Sequence, residues 1–145
     1  MIDHNVEFRK AVITDKEFIT KYKLDTIIRG NNIAKEEYDQ ILIYLNNNIK
    51  EHLDDYQIIL MENKIIGMFC YYKMEDEYLL DEIYLLHHYR NLGIGSFIIK
   101  QLQQELVNKK IYLWVYKTNT TAIKLYKSLG FKVIDETETR YKMMW

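Results

Sequence analysis

The chain has 145 residues, of which 48% are hydrophobic and 28% are charged, a composition typical of one folded domain and not of a disordered chain. Twenty lysines and arginines against 21 aspartates and glutamates leave a net charge of -1, which argues against a nucleic-acid protein that depends on a strongly basic surface. The single cysteine excludes an intramolecular disulfide and a cysteine-based zinc site. We therefore expect a single domain over residues 1–145.

The first third of the chain predicts one strand and two helices. Alternating apolar and polar residues over Val6–Ile13 indicate the strand. Thr14 to Glu17 has the T-x-x-E form of a capping box, which predicts a helix from Asp15 to about Leu24. After a loop around Arg29–Asn32, the spacing of apolar residues predicts a second helix over Lys35–Asn47.

The rest of the chain predicts a hairpin followed by alternating strands and helices. Two β-rich runs joined by the polar pair Glu62-Asn63 indicate the hairpin, Tyr56–Met61 and Lys64–Lys73. The later predicted strands are Tyr78–Leu86, Ile111–Tyr116, Lys132–Asp135 and Thr139–Trp145, and the later helices are Gly95–Val107 and Thr120–Leu129. Asn119 is the expected N-cap of the last helix, and Gly130 the left-handed residue that ends it. This order predicts an α/β protein with a mixed sheet and helices on both faces.

A glycine loop follows the strand at Tyr78–Leu86. The run Arg90-Asn91-Leu92-Gly93-Ile94-Gly95 leads directly into a helix. Two glycines allow successive N–H groups to converge on an anion at the helix N-terminus, so a phosphate or pyrophosphate is the natural guest. The P-loop pattern is absent, and Ile98 stands where a dinucleotide fingerprint needs its third glycine. Two-glycine loops often only turn the chain, so this motif alone decides nothing.

A second motif downstream makes the pattern specific. The first block matches R-x-x-G-x-G at Arg90, Gly93 and Gly95, and the second matches N-x-x-A-x-x-x-Y-x-x-x-G-F at Asn119, Ala122, Tyr126, Gly130 and Phe131. Together the two blocks resemble the GNAT superfamily of acyl-CoA-dependent N-acyltransferases over about Leu79–Phe131. The resemblance implies a mostly antiparallel central sheet of about six or seven strands with helices on both faces, and acetyl-CoA as the acyl donor.

The resemblance also implies which residues hold the cofactor. Backbone groups of Ile83, Tyr84 and Leu85 would pair with the pantetheine arm as if it were an added strand, with an N–H near Leu85 facing the thioester oxygen. The loop that begins at Arg90 would cradle the pyrophosphate through main-chain N–H groups, those of Asn91, Leu92, Gly93, Ile94, Gly95 and Ser96. Asn119 would bond the pantetheine or cap its own helix.

Attack of an amine on a thioester requires a base and benefits from an acid. An amine with a pKa of about 10.4 is almost entirely protonated at pH 7, and a leaving thiolate has a pKa of about 8.5. By resemblance Tyr126 would lie beside the sulfur and act as the acid; the alternative is an aromatic residue that only packs on the sheet.

The strand before the glycine loop supplies the candidate bases. Glu82 and Asp81 are its only acids, and we favour Glu82, with Asp81 second. Adjacent strand residues point to opposite faces, so only one of the two should reach the amine. The alternative is a buried carboxylate satisfied by a tyrosine or a lysine. Other superfamily members carry a glutamate base where this chain has Trp114, which removes that option here.

These inferences predict an acetyl-CoA-dependent N-acetyltransferase that acts on a primary amine, such as a polyamine or a peptide N-terminus. A non-catalytic acyl-CoA-binding sensor or partner module is the alternative, because it would use the same glycine loop. No nucleic-acid partner is expected, and no metal, because His87 and His88 are adjacent loop residues that would not converge on one ion. Cys70 is expected to be an inert core residue.

Location and assembly follow from the remaining patterns. No apolar run reaches 18 residues, and the N-terminus lacks the pattern of a signal peptide, which predicts a cytoplasmic protein without a membrane partner. The final segment, Thr139–Trp145, could be an exposed edge strand that a second copy covers, which would give a homodimer.

Overall fold

The computed structural model describes residues 5–145, which form one seven-stranded sheet flanked by four α-helices. The strands are β1 Val6–Lys10, β2 Tyr56–Met61, β3 Lys64–Met74, β4 Glu77–Leu85, β5 Lys110–Tyr116, β6 Lys132–Glu136 and β7 Arg140–Met144. The helices are α1 Lys16–Gly30, α2 Tyr38–His52, α3 Ile94–Glu105 and α4 Thr120–Ser128. The strand order is β1-β2-β3-β4-β5-β7-β6, and every neighbouring pair is antiparallel except β4–β5. The mixed, mostly antiparallel sheet is confirmed.

The helices cover both faces of the sheet, as predicted, and each pair buries its own apolar cluster. On one face, α1 and α2 contribute Ile19, Leu45 and Ile49 to a core that includes Met68 and Cys70 of β3. On the other face, α3 and α4 cover a larger core, to which they contribute Ile94, Ile98, Ile99, Leu102 and Tyr126. The strands alternate between the two clusters, so the face to which a strand residue points follows from its cluster.

The hairpin of β2 and β3 has the predicted bounds to within one residue. Its two-residue turn places Glu62 and Asn63 at φ values of 50° and 65°. Positive φ at both central residues is the geometry that matches the twist of the flanking strands.

The beginning of the chain departs from the sequence prediction. Strand β1 ends at Lys10, because Ile13–Asp15 form a short 3-10 turn. Thr14 is not the cap that the T-x-x-E pattern predicted, because the short turn begins after Val12. Asp15, the third residue of that turn, accepts a hydrogen bond from the Val12 N–H at 2.8 Å and pairs with Arg9 at 2.7 Å.

Helix α1 ends six residues later than predicted, at Gly30 rather than Leu24. Its last turns are stabilised locally by an ion pair between Asp25 and Arg29 at 2.9 Å. Its C-terminus rests on β5: the ring of Tyr116 occupies the space in which Gly30 would carry a side chain, and the Asn31 side-chain amide donates to the Tyr116 hydroxyl at 3.1 Å. This tertiary contact places the C-terminus of α1 against β5. Helix α2 likewise runs past the predicted end at Asn47 to His52.

The last segment is not an edge strand. Strand β7 lies between β5 and β6 and pairs with both, so the exposed edge beyond it is β6. The prediction that Thr139–Trp145 forms an edge was wrong, because the chain turns back after β6 and inserts β7 into the sheet. No helix among the described residues is long and apolar enough to cross a bilayer.

Candidate active site

The parallel pair β4–β5 opens into a gap near the middle of the sheet. Register between the two strands covers only Glu77–Leu79 against Lys110–Tyr112, although both strands continue beyond it. The rest of β4, from Leu80 to Leu85, therefore has no strand on its β5 side within residues 5–145. A strand edge with free N–H and C=O groups is a template for an extended ligand.

The backbone groups that face this gap are those of Ile83 and Leu85. Leu86 donates its N–H to Ile66 of the β3 side at 2.8 Å, and the Tyr84 carbonyl oxygen lies against Gly67 of β3. Because orientation alternates along a strand, Ile83 and Leu85 present their groups to the other side. Two of the three residues assigned to the pantetheine arm thus offer backbone groups to the gap, and Tyr84 points its own towards β3.

Arg90 contacts the C-terminal end of this edge of β4. Its Nε donates to the Leu85 carbonyl at 2.8 Å, and its guanidinium carbon lies 5.1 Å from the centroid of the Tyr84 ring. The side chain of Arg90 therefore ties the glycine loop to the end of β4.

The glycine loop has the conformation required for an anion cradle. Asn91 and Gly93 have φ values of 61° and 83°, and α3 begins at the next residue, Ile94. The first hydrogen bond of this helix runs from the Phe97 N–H to the Gly93 carbonyl at 3.0 Å. The N–H groups of Ile94, Gly95 and Ser96 precede it and have no intrahelical acceptor, so they are available to an anion.

Gly95 opens this cradle towards the gap. A Cβ at this position would lie 3.5 Å from Leu125 of α4 and 3.9 Å from Ile83 of β4. The residue thus borders the space between β4 and α4, and its lack of a side chain leaves that space clear. The loop and the free edge of β4 form one continuous surface.

Tyr126 of α4 reaches this surface from the side opposite to α1. It is buried, its ring packs 5.9 Å from that of Phe131, and its hydroxyl makes no hydrogen bond within residues 5–145. Burial raises the pKa of Tyr126 well above its usual value, and the negative charge of Glu82 raises it further. The phenol is therefore protonated at neutral pH and lies within electrostatic reach of Glu82.

Glu82 has the environment of a base that titrates near neutrality. Burial is the largest influence on its carboxyl group and raises its pKa to about 7; the charge of Asp81 acts in the same direction. The charge of Lys23 and a hydrogen bond from the Ile83 N–H oppose this rise. A general base works best when its pKa lies near the working pH.

Asp81 is held in an ion pair and is not free to act as a base. Lys23 of α1, itself buried, places its Nζ 2.9 Å from an Asp81 carboxylate oxygen, 3.0 Å from the Tyr56 hydroxyl and 3.1 Å from the side-chain oxygen of Asn48. Burial alone lowers the pKa of Lys23, but Tyr56 and Asp81 outweigh it and the pKa lies above its ordinary value. The alternative that the sequence left open, a carboxylate satisfied by a lysine, is what the structure has at Asp81.

The two acids do not point to opposite faces as predicted. The register between β3 and β4 pairs Cys70 with Glu82 and Tyr71 with Leu80, so Asp81 is the extra residue of a β-bulge. Strict alternation fails at a bulge. Cys70 belongs to the core under α1 and α2, so its partner Glu82 lies on that face too, and Lys23 influences both acids.

The remaining predicted residues have structural partners. The side-chain oxygen of Asn119 accepts the Ala122 N–H at 3.2 Å, which makes it the N-cap of α4 as predicted. His87 and His88 are exposed, and Cys70 is fully buried with a raised pKa. Within residues 5–145 no group of three or more histidine, cysteine or acidic side chains is placed to hold a metal ion.

Sequence reasoning missed Lys23. Its signal is that it lies four residues after the buried Ile19, on the apolar stripe of a helix. A lysine on such a stripe requires a buried acceptor. The acids of β4 are the complementary signal, but only the tertiary structure brings the two together.

Comparisons with known proteins show which proteins this chain resembles. The model of a family described as "Acetyltransferase (GNAT) family" matches residues 21–131. A probable spermine N(1)-acetyltransferase of Bacillus subtilis subsp. natto is 35% identical over 63 residues, which are 41% of this chain and 41% of that protein. A thialysine N-epsilon-acetyltransferase of Mus musculus is 39% identical over 62 residues, 41% of this chain and 36% of that protein. The chain thus spans about two fifths of the length of these relatives.

One solved structure shows that the fold extends over nearly the whole chain. The PaiA N-acetyltransferase of Thermoplasma acidophilum, in complex with coenzyme A, superposes with a TM-score of 0.72 at 19% identity. The match covers 96% of this chain and 97% of that one.

Proposed function

Because this chain belongs to the acetyltransferase (GNAT) family, we propose that it transfers the acetyl group of acetyl-CoA directly to a primary amine. The observation that carries the proposal is the gap between β4 and β5, where the unpaired edge of β4 leads into the glycine loop and the first N–H groups of α3. Glu82 of β4 and Tyr126 of α4 are the candidate proton acceptor and donor on the two elements that border this gap, and two such groups can act on the two sides of one reacting centre.

The chain offers a fitting site for acetyl-CoA. The Ile83 carbonyl and the Leu85 N–H can pair with the amide-bearing arm, and the N–H groups of Ile94 to Ser96 can receive the pyrophosphate. The bound cofactor supplies a thioester whose carbonyl carbon an amine can attack.

Glu82 takes the proton from the acceptor amine. With a pKa of about 7 its carboxyl is ionised in about half of the molecules at neutral pH, and it remains basic enough to accept a proton directly or through a water molecule. Tyr126 donates its hydroxyl proton, or a hydrogen bond, to the departing thiolate. Its raised pKa keeps that proton in place until the sulfur becomes basic.

The proposed acceptor is a primary amine. A polyamine, a lysine analogue and a peptide N-terminus all present a primary amine to Glu82, and the first two are acceptors named for relatives of this chain. We place this reaction in the cytoplasm, where acetyl-CoA is available.

The test is release of CoA and formation of acetylated product, resolved by chromatography, with a panel of polyamines, amino acids and short peptides. Tyr126→Phe should lower kcat by about 100-fold, within the range for loss of a general acid. Tyr44→Phe, at an exposed position of α2, should match the unmodified protein. Unchanged kcat in Tyr126→Phe would remove the acid role. Acetyl-CoA binding without turnover of any amine would favour the non-catalytic sensor.

A further inference from the structure

The half of the sheet beyond the gap carries an aromatic face on the α1 side. Strand β5 alternates: Ile111, Leu113 and Val115 are buried under α3 and α4. Tyr112, Trp114 and Tyr116 therefore point the other way. The contacts of Tyr116 with Gly30 and Asn31 at the end of α1 show that this is the α1 face.

Two cations lie on this aromatic face. Register places Lys142 of β7 opposite Trp114 and Arg140 opposite Tyr116, so both side chains share the face. The guanidinium carbon of Arg140 lies 5.0 Å from the Trp114 ring centroid, and Lys142 Nζ lies 4.7 Å from that of Tyr112 and 5.9 Å from that of Trp114. Aromatic faces fix these cations in position without neutralising their charge.

No carboxylate of the described residues pairs with either cation. The ion pairs of residues 5–145 involve neither Arg140 nor Lys142. Asp135 is opposite Lys142 in the sheet, but its Oδ1 accepts the Glu136 N–H at 2.8 Å, and the Glu136 carboxylate pairs with Lys117 at 2.7 Å. Two half-buried positive charges are thus held side by side without an anion.

This pair of cations faces the same space as Glu82. Glu82 lies on the α1 side of β4, and the last paired residues of β4 and β5 are Leu79 and Tyr112, two positions before Asp81 and Trp114. The charge of Asp81 helps to raise the pKa of Tyr112, after the larger effects of burial and Glu77. Strands β4 and β7 are two strand spacings apart, about 10 Å before the gap widens them.

We propose that Trp114, Arg140 and Lys142 form a subsite for an anionic group of the acceptor, so that the acceptor is an amine bearing a carboxylate and not a polyamine. Glu82 on β4 receives the amine, and the cations on β7 receive the carboxylate across the opening. The inference rests on the proposed acetyl transfer, because it concerns the acceptor of that reaction.

Lysine and cadaverine test the proposal, since they differ by one carboxylate. Their kcat/KM values are measured with acetyl-CoA, and their binding is followed by Trp114 fluorescence in a Trp145→Phe background. We expect an advantage of about tenfold or more for lysine in both measurements, as charge-assisted hydrogen bonds to a carboxylate give. Arg140→Gln/Lys142→Gln should remove this advantage, whereas Lys50→Gln/Lys64→Gln, which loses the same charge elsewhere on the surface, should keep it.

The two measurements separate this proposal from the proposed function. Equal binding of lysine and cadaverine, or a preference for cadaverine, overturns the anion subsite even if acetyl transfer is robust. A lysine preference that persists in Arg140→Gln/Lys142→Gln also overturns it. Tighter, variant-sensitive lysine binding without turnover of any amine supports the subsite and contradicts the acetyl transfer.

Discussion

Two neighbouring carboxyl groups, Asp81 and Glu82, have different chemistry because one lysine contacts only one of them. Lys23 bonds Asp81 at 2.9 Å, which occupies that carboxylate. Glu82 receives only the more distant influence of the lysine charge, so burial dominates and its pKa rises to about 7. Different environments can thus give two groups of the same type different roles.

The pH profile tests the role of Glu82. The folded pKa lies above the ordinary value, so the carboxyl is protonated below about pH 7 and kcat/KM should fall there with an apparent pKa near 7. In Glu82→Gln this limb of the pH profile should disappear, and kcat/KM should fall about 100-fold at pH 7–8. The loss should be smaller as the pH approaches the pKa of the amine, because more of the amine is then already deprotonated.

Glu51→Gln, an exposed carboxylate of α2, is the matched control and should leave the profile unchanged. A Glu82→Gln protein that kept the limb near pH 7 would assign that ionisation to another group and end the role of Glu82 as the base.

At the scale of elements, the junction between β4 and α3 shows how a short run of sequence shapes the proposed anion cradle. Asn91 and Gly93 take positive φ, and α3 then starts with its first N–H groups turned towards the gap. Asn119 is the N-cap of α4 and thereby fixes the start of the helix that carries Tyr126.

Substitution of Gly93 tests the cradle. An alanine at φ 83° costs about 1–2 kcal/mol in this left-handed conformation, so Gly93→Ala should distort the loop. We expect KM for acetyl-CoA to rise about tenfold while KM for the amine stays within twofold, measured by initial rates with each substrate varied in turn. A parallel rise in both KM values would show a general loss of folding and would contradict a local role.

At the scale of the whole molecule, Lys23 joins four elements. Its ammonium group on α1 bonds Asn48 of α2, Tyr56 at the start of β2 and Asp81 of β4. A buried charge satisfied in this way fixes the position of the helices on the sheet, because any displacement leaves polar groups unpaired.

Removal of the lysine should therefore destabilise the fold as well as the site. Lys23→Met should lower the free energy of unfolding by about 2–3 kcal/mol, less than for a fully buried pair because the Asp81 side chain keeps 23% exposure. Lys23→Met/Asp81→Asn should recover part of this loss in urea titrations. Activity gives a second readout: without the charge of Lys23, which lowers the pKa of Glu82, the limb of the pH profile should move above pH 7.

A double variant no more stable than Lys23→Met would show that the two residues are energetically independent.

The homodimer remains a prediction, and its surface has changed: the exposed edge is β6, not β7.

Much of the local structure was predictable because its signals are local. The hairpin turn at Glu62-Asn63, the glycine loop and the Asn119 cap depend on the φ preferences and hydrogen bonds of a few adjacent residues. The two spaced motifs indicated the family for the same reason, since each lies within one turn and one helix.

What the sequence could not predict depends on residues distant in the chain. The full length of α1 rests on Tyr116, 86 positions beyond Gly30, and the pairing of Asp81 rests on Lys23. The insertion of β7 depends on whether β6 or β7 forms the more stable pair with β5. The bulge at Asp81 interrupts the alternation of side chains, which holds only in a regular strand. The sequence by itself determined the hairpin turn, the Asn119 cap and the glycine-loop pattern, because short-range sterics decide them. Only the tertiary structure decided which acid is free to titrate and which cations face it, because burial and charge pairing are properties of the assembled sheet.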